Sequence, residues 1–240
     1  MDSPIPQSQT QPKKTVVIAL PGREFSGNFL VAWTRTLMAL YERGYSVVLL
    51  NRFSSFVSFS RMQTLGLDVL RGVDQKPFDG KLDYDVWLTI DSDVIFTPEQ
   101  VLELIENTTI HPVVSGFYRM ADLTHYPAIL EWDTDYFAQY GSFKFLTPAD
   151  VEQWRTATQQ KFMPVAYNGL GFFACRKGVI ESLAYPYFWA PLQEITRPDG
   201  TLLRDMCSED VAFCKNLIAA GYQVMVNTEI RVGHEKVLTI

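Results

Sequence analysis

The chain is short of the residues from which common metal and nucleic-acid sites are built. Its 240 residues include three cysteines, Cys175, Cys207 and Cys214. Their number is odd and their spacing is not that of a zinc site or a disulfide framework. Reduced structural thiols in a cytoplasmic protein are the expectation. Histidine is as scarce, three in all. Basic residues are in the minority, 21 Lys and Arg against 27 Asp and Glu, for a net charge of −6. That balance excludes the basic footprint of a nucleic-acid binder. A phosphorylated substrate would then need a metal ion as its local positive charge. No apolar run reaches the roughly 18 residues of a membrane span. Residues 1–14 lack an apolar core and are rich in Gln, Ser and Pro, so they form neither signal peptide nor anchor and are expected to be disordered.

What is present suits a globular α/β protein: 47% hydrophobic and 20% charged residues in one domain-sized chain without internal repeats. Thr15 to Leu20 is a continuous apolar run, as in a strand buried on both faces, and it stops at Pro21-Gly22-Arg23. Ser26 caps an expected helix with Leu30, Trp33, Leu37, Leu40 and Tyr41 at helical spacing and Gly44 at its end. A strand over Ser46 to Leu50 completes a βαβ unit. A serine-rich aromatic connection follows, then a helix expected over 61–70. Further strands are expected over 86–90, 112–118, 128–132, toward Cys175 and over 223–226, with helices from Thr147-Pro148 and over 208–220. Residues 185–204 show no periodicity and read as a long loop able to act as a lid.

The strongest pattern is Asp85 to Asp93, a buried strand running into Asp91-Ser92-Asp93. Carboxylates are seldom buried unless paired or bound to a cation, and their oxygens suit magnesium or manganese. Thr97, Pro98 and Gln100 then open a capped helix. The acid pair therefore sits on a strand-to-helix connection, the ligand-binding edge of open α/β sheets. An acid pair there could instead only cap the helix or face solvent.

Ser208-Glu209-Asp210 opens a late helix. Acids in that place complement the helix dipole, and Asp210 can equally take a proton from a hydroxyl. His234 follows the last strand, and neutral imidazole is a common metal ligand. Gly169 and Gly171 allow either a tight turn or close approach to a sugar ring. Arg23 and Arg61 are surface charges or cations facing a diphosphate.

In this order the pieces resemble the GT-A-fold glycosyltransferases, the nucleotide-diphospho-sugar transferases, and in particular their inverting family-two-like members. They are Pro21 ending the first strand, Asp91-Ser92-Asp93 as a DXD motif after the third, Asn168-Gly169-Leu170-Gly171-Phe172, the Glu209-Asp210 pair and His234. The resemblance runs from Thr15 to His234. It implies a single GT-A-like (Rossmann-like) α/β domain over 15–240, with a mixed, mostly parallel central sheet flanked by helices. Residues 15–118 would form the nucleotide-binding half and 119–240 the acceptor-binding half.

The resemblance further implies a Mn2+ or Mg2+ ion on Asp93 and His234. Asp91 would contact the ribose or the metal through water, and Pro21, Gly22 and Arg23 would line the nucleotide. Arg61, Ser92, Gly169 and Gly171 complete the donor site. Asp210 would be the base, with Glu209 orienting the acceptor. The implied partners are a UDP- or GDP-type sugar donor and a hydroxyl acceptor, a glycan, and the reading admits one domain of a longer polypeptide. The loop after Leu50 lacks the acid that often holds uracil, which leaves the base open. The alternatives are a haloacid-dehalogenase-type phosphatase, a sugar-nucleotide pyrophosphorylase and a non-catalytic nucleotide-sugar-binding module.

Overall fold

In a computed structural model, residues 13–236 are described. The tail expected to be disordered lies outside the described residues, Lys13 and Lys14 excepted. The first unit is β1 (Thr15–Pro21), α1 (Gly27–Glu42) and β2 (Ser46–Arg52). Ser26 caps α1 by accepting from the Phe29 N–H at 3.0 Å. Its buried face is Phe29, Ala32, Thr36 and Leu40, so the expected face is corrected by one position and Leu30 and Tyr41 are exposed. The helix expected over 61–70 is α2 (Val57–Thr64). It ends early because Gly66 takes a φ of +66°, a left-handed conformation that stops the helix.

The acid-bearing strand is β3 (Val86–Ile90), followed by the two-residue β4 (Val94–Ile95) and α3 (Pro98–Asn107). The capping box holds: the Thr97 N–H donates to Gln100 Oε1 at 3.0 Å, and the Gln100 N–H to Thr97 Oγ1 at 3.4 Å. β5 (Val113–Phe117) comes next. The strand expected over 128–132 is only β6 (Ala128–Ile129), because the chain turns at once into α4 (Thr134–Tyr140), capped by Asp133. There follow α5 (Pro148–Thr158), β7 (Phe162–Val165), β8 (Tyr167–Asn168) and β9 (Phe172–Arg176).

The long loop expected over 185–204 is corrected to a hairpin of β10 (Leu192–Thr196) and β11 (Leu202–Met206). Pro198-Asp199-Gly200 makes the turn, with Gly200 at φ +83°. Last come α6 (Glu209–Ala219), β12 (Val224–Arg231), which runs five residues beyond the expected end, and β13 (Gly233–His234).

Seven strands form one sheet in the order β2-β1-β3-β9-β5-β12-β7. β9 and β7 run against the other five, which makes the sheet mixed and mostly parallel as expected. Strand alternation divides the core in two. Val16, Ile18 and Leu20 pack with Phe29 of α1 and Leu104 of α3, while Val17, Ala19 and Trp87 pack with Phe213 and Leu217 of α6. The parallel strands β1, β3, β5 and β12 all end at one edge, and the antiparallel β9 begins there. That shared edge brings residues from five distant segments together. Among the described residues no helix is long and apolar enough to cross a membrane.

Candidate active site

The edge is assembled by backbone pairing. Ile90 opposes Phe172 in the ladder, so Asp91 emerges beside the glycine-rich entry to β9, and its N–H donates to the Gly171 carbonyl at 2.9 Å. Gly171 donates in turn to the Tyr118 hydroxyl at 3.2 Å. A Cβ at Gly169 would stand 2.2 Å from that hydroxyl and one at Gly171 would stand 2.8 Å from the ring, so the two glycines admit Tyr118. β13 pairs with β4, setting His234 opposite Val94, and the Glu235 N–H donates to the Asp93 carbonyl at 2.7 Å. The structure thus brings Asp91, Ser92, Asp93, Gly169, Gly171 and His234 together.

Pro21 and Gly22 reach the same edge from β1. Asn51 fixes their loop by donating to the Leu20 and Gly22 carbonyls at 2.8 and 2.9 Å. Gly22 sits at φ +155°, and a Cβ there would lie 2.6 Å from Ser92 Cβ. Gly22→Ala should therefore lose about 1–3 kcal/mol of stability, the range expected for a strained backbone position. Urea denaturation checks this, and adding Ser92→Gly should recover the part due to the clash. Arg23 stays exposed at the rim, its guanidinium 5.9 Å from the Phe53 ring.

His234 and Asp93 form the most informative pair. His234 Nδ1 lies 2.5 Å from the Arg119 carbonyl, which only accepts, so Nδ1 carries a proton. Nε2 faces Asp93 Oδ2 at 3.0 Å. A cationic ring pairs with the carboxylate directly, while a neutral ring would turn a lone pair toward it, an arrangement that a cation shared by the two groups would relieve. The hydrogen bond to Asp93 raises the His234 pKa against the effect of burial. Burial would raise that of Asp93, but the hydrogen bonds from His234 and Lys236 hold it down at about 2. The Lys236 ammonium stands 2.6 Å from Asp93 Oδ2. Sequence reasoning missed Lys236, whose signal was a cation two residues past the histidine.

This donor set fits a hard divalent cation. Adjacent ligands of octahedral magnesium stand about 3 Å apart, given metal–oxygen distances of about 2.1 Å. The Asp93–His234 separation matches. Among the described residues no group of three His, Cys, Asp or Glu could hold a metal ion. Two protein ligands completed by substrate oxygens and water are the usual arrangement for magnesium beside phosphates.

Arg61 is buried, with 3% of its side chain exposed, between two acids that sequence reasoning assigned separately. It lies 3.0 Å from Asp91 Oδ1 and donates to Thr89 Oγ1 at 3.2 Å and to Glu209 Oε1 at 3.1 Å. Asp91 Oδ1 is buried and, despite that contact, accepts no well-angled hydrogen bond. Burial raises the Glu209 pKa, with Arg61 opposing.

Asp210 follows Glu209 in the first turn of α6. Its Oδ2 accepts from the Tyr167 hydroxyl at 2.8 Å, and its Oδ1 from the Val211 N–H at 2.8 Å and from the Ser208 hydroxyl. Burial pushes the Tyr167 pKa well up, so the phenol remains a donor. Those donors fix the carboxylate's orientation. Tyr167 was not singled out from sequence, where it looks like one more aromatic before Asn168.

No protein-family model and no curated protein matches the chain. Among solved structures it is similar to glucosyl-3-phosphoglycerate synthase from Mycobacterium tuberculosis in complex with Mn2+, uridine-diphosphate and phosphoglyceric acid. That likeness has 14% identity and a TM-score of 0.44, covering 94% of this chain and 72% of that one. The same enzyme with Mg2+ and uridine-diphosphate gives 14% identity and a TM-score of 0.43, over 94% and 73% of the two chains. At that identity the likeness concerns the fold alone.

Proposed function

We propose that the protein is a glycosyltransferase that moves a sugar from a nucleotide-diphospho-sugar to a hydroxyl acceptor, using Mn2+ or Mg2+ and inverting the anomeric centre. The observation that carries this reading is the convergence of Asp93 and His234 on one sheet edge, with His234 Nδ1 committed to the Arg119 carbonyl and Nε2 left 3.0 Å from Asp93 Oδ2. Asp93 and His234 would hold the ion, with Asp91 alongside. When bound, the ion neutralises charge growing on the departing diphosphate.

The chain's own residues do the rest. Pro21, Gly22 and Ser92 shape the floor on which the nucleotide lies, in the half formed by residues 15–118. Asp210 accepts the proton of the acceptor hydroxyl as its oxygen bonds to the anomeric carbon and the bond to the diphosphate breaks. One base on the face opposite the leaving group gives inversion. Glu209 and Arg61 hold the helix start against the donor side. The acceptor, a glycan, enters over residues 119–240. Three free, buried cysteines support a cytoplasmic setting.

The test is calorimetric titration with UDP and GDP. A diphosphate approaching two carboxylates without a cation is repelled. Binding should appear with manganese, vanish with chelator, and weaken in Asp93→Ala by at least about tenfold, the loss that even outer partners of a metal site cause. Equal affinity with and without metal would refute the reading.

A further inference from the structure

Beside the start of α6 lies a cavity of about 330 Å3 that the donor site does not use. Its walls are Trp132 and Phe143 from around α4, Ile195 and Met206 from the hairpin, and Val211 and Lys215 from α6. Two of its lining residues, Ser208 and Val211, flank Glu209-Asp210. The cavity is tied to Asp210 by one side chain. The Tyr167 ring lies 6.4 Å from Trp132 and 6.3 Å from Phe143, while its hydroxyl donates to Asp210. A molecule seated here would lie against Ser208, whose hydroxyl donates to Asp210.

The lining also says what kind of molecule. Asp133, Glu194 and Asp205 are three carboxylates against the one ammonium of Lys215. Lys215 is already held, donating to Gln193 and standing 4.8 Å over the Trp132 ring. With Glu194 paired to Arg204, Asp133 and Asp205 still outnumber the Lys215 ammonium, so a phosphate or carboxylate would meet a wall of net negative charge. The polar groups are largely committed elsewhere. Asp133 caps α4, Glu194 pairs with Arg204 at 2.6 Å, and Asp205 accepts from the Met206 N–H at 2.7 Å. The remaining surface is aromatic and aliphatic, which favours a flat apolar face.

We infer that this cavity is the acceptor subsite, and that it takes an uncharged acceptor whose hydroxyl is carried by a ring with an apolar face. The inference deepens the glycosyltransferase reading and rests on it for the word acceptor. An aryl ring and the apolar face of a sugar share that chemistry.

The experiment is calorimetry on the full chain with UDP and manganese present, using three probes. Para-nitrophenyl glucoside offers both kinds of ring, methyl glucoside only the sugar face, and phosphoglycerate an anion without a ring. Thr134→Trp fills the cavity from the exposed start of α4, far from the donor site's residues. Ile195→Trp fills it from the hairpin, should the first variant fold poorly.

Para-nitrophenyl glucoside should bind the natural chain and bind at least about tenfold more weakly once stacking contacts are blocked. UDP affinity should be unchanged and phosphoglycerate should give no heat. Methyl glucoside binding as well would identify the sugar face as the part recognised, and its failure would identify the aryl ring. Absent glucoside binding, binding indifferent to both fillings, or phosphoglycerate binding that the fillings block would each overturn the inference while leaving UDP binding intact. Glucoside binding without any UDP binding would instead overturn the glycosyltransferase reading, and the acceptor role with it.

Discussion

Asp210→Asn should abolish most sugar transfer while leaving nucleotide affinity unchanged. The amide keeps the size of the carboxylate and can still accept through one oxygen from Tyr167 or from the Val211 N–H. It cannot take a proton from an attacking hydroxyl. Removing a general base typically costs about 10²–10⁴-fold in rate. Asp210 touches none of Asp91, Asp93 or His234 among the described hydrogen bonds, so metal and diphosphate binding should not move. Transfer assays across acceptor concentrations, with calorimetry for UDP, separate the two effects. A variant with near-normal turnover would make Asp210 a helix-capping acid and no more. A fall in nucleotide affinity matching the fall in rate would make it part of the donor site. If product can be collected from the natural chain, NMR of the new linkage reads the stereochemistry, and a retained anomer would rule out the single displacement.

How far these residues could be read beforehand depended on how local their causes were. β3 and its acids were legible because a strand with four apolar residues in five and a Thr97–Gln100 capping box are neighbours in sequence. His234 was legible as a residue, and its partner came from a strand pairing between β13 and β4 that no periodicity announces. Tyr167 and Lys236 escaped notice because each acquires meaning only from a side chain 43 or 143 positions away. The hairpin was misread for a different reason. β10 and β11 bury little on either face, so the apolar alternation that marks a strand is weak, although Pro198-Asp199-Gly200 was a turn signal in plain view. Arg61 was placed at the right edge but given the wrong neighbours. With α2 beginning at Val57, its side chain lies beneath the edge, not on it.

Arg61→Met should be the most destabilising change near the site. The natural guanidinium is buried, and burial alone would lower its pKa, but Asp91 and Glu209 hold it above its ordinary value. Met keeps the aliphatic bulk and removes the charge, which leaves two carboxylates partly buried and unpaired. Breaking one partner out of a buried ion pair costs about 3–5 kcal/mol. The loss should also depend on pH, and its sign follows from which state binds more protons. Without Arg61, burial and the neighbouring Asp210 charge, which already raise the Glu209 carboxyl, act unopposed and hold it further above its unfolded value of about 4. Between that value and neutrality the folded state then holds more protons than the unfolded one, so stability falls as pH rises. The deficit against the natural chain should therefore be largest at neutral pH and shrink toward pH of about 5, as the raised Glu209 carboxyl becomes protonated. Urea denaturation of both proteins at the two pH values measures it. Arg61→Lys, which restores one charge without the fork that reaches both acids, should recover part of the loss. A deficit that is small and the same at both pH values would show that Arg61 fills space beneath the sheet edge, with its charge immaterial to how Asp91 and the start of α6 are held together.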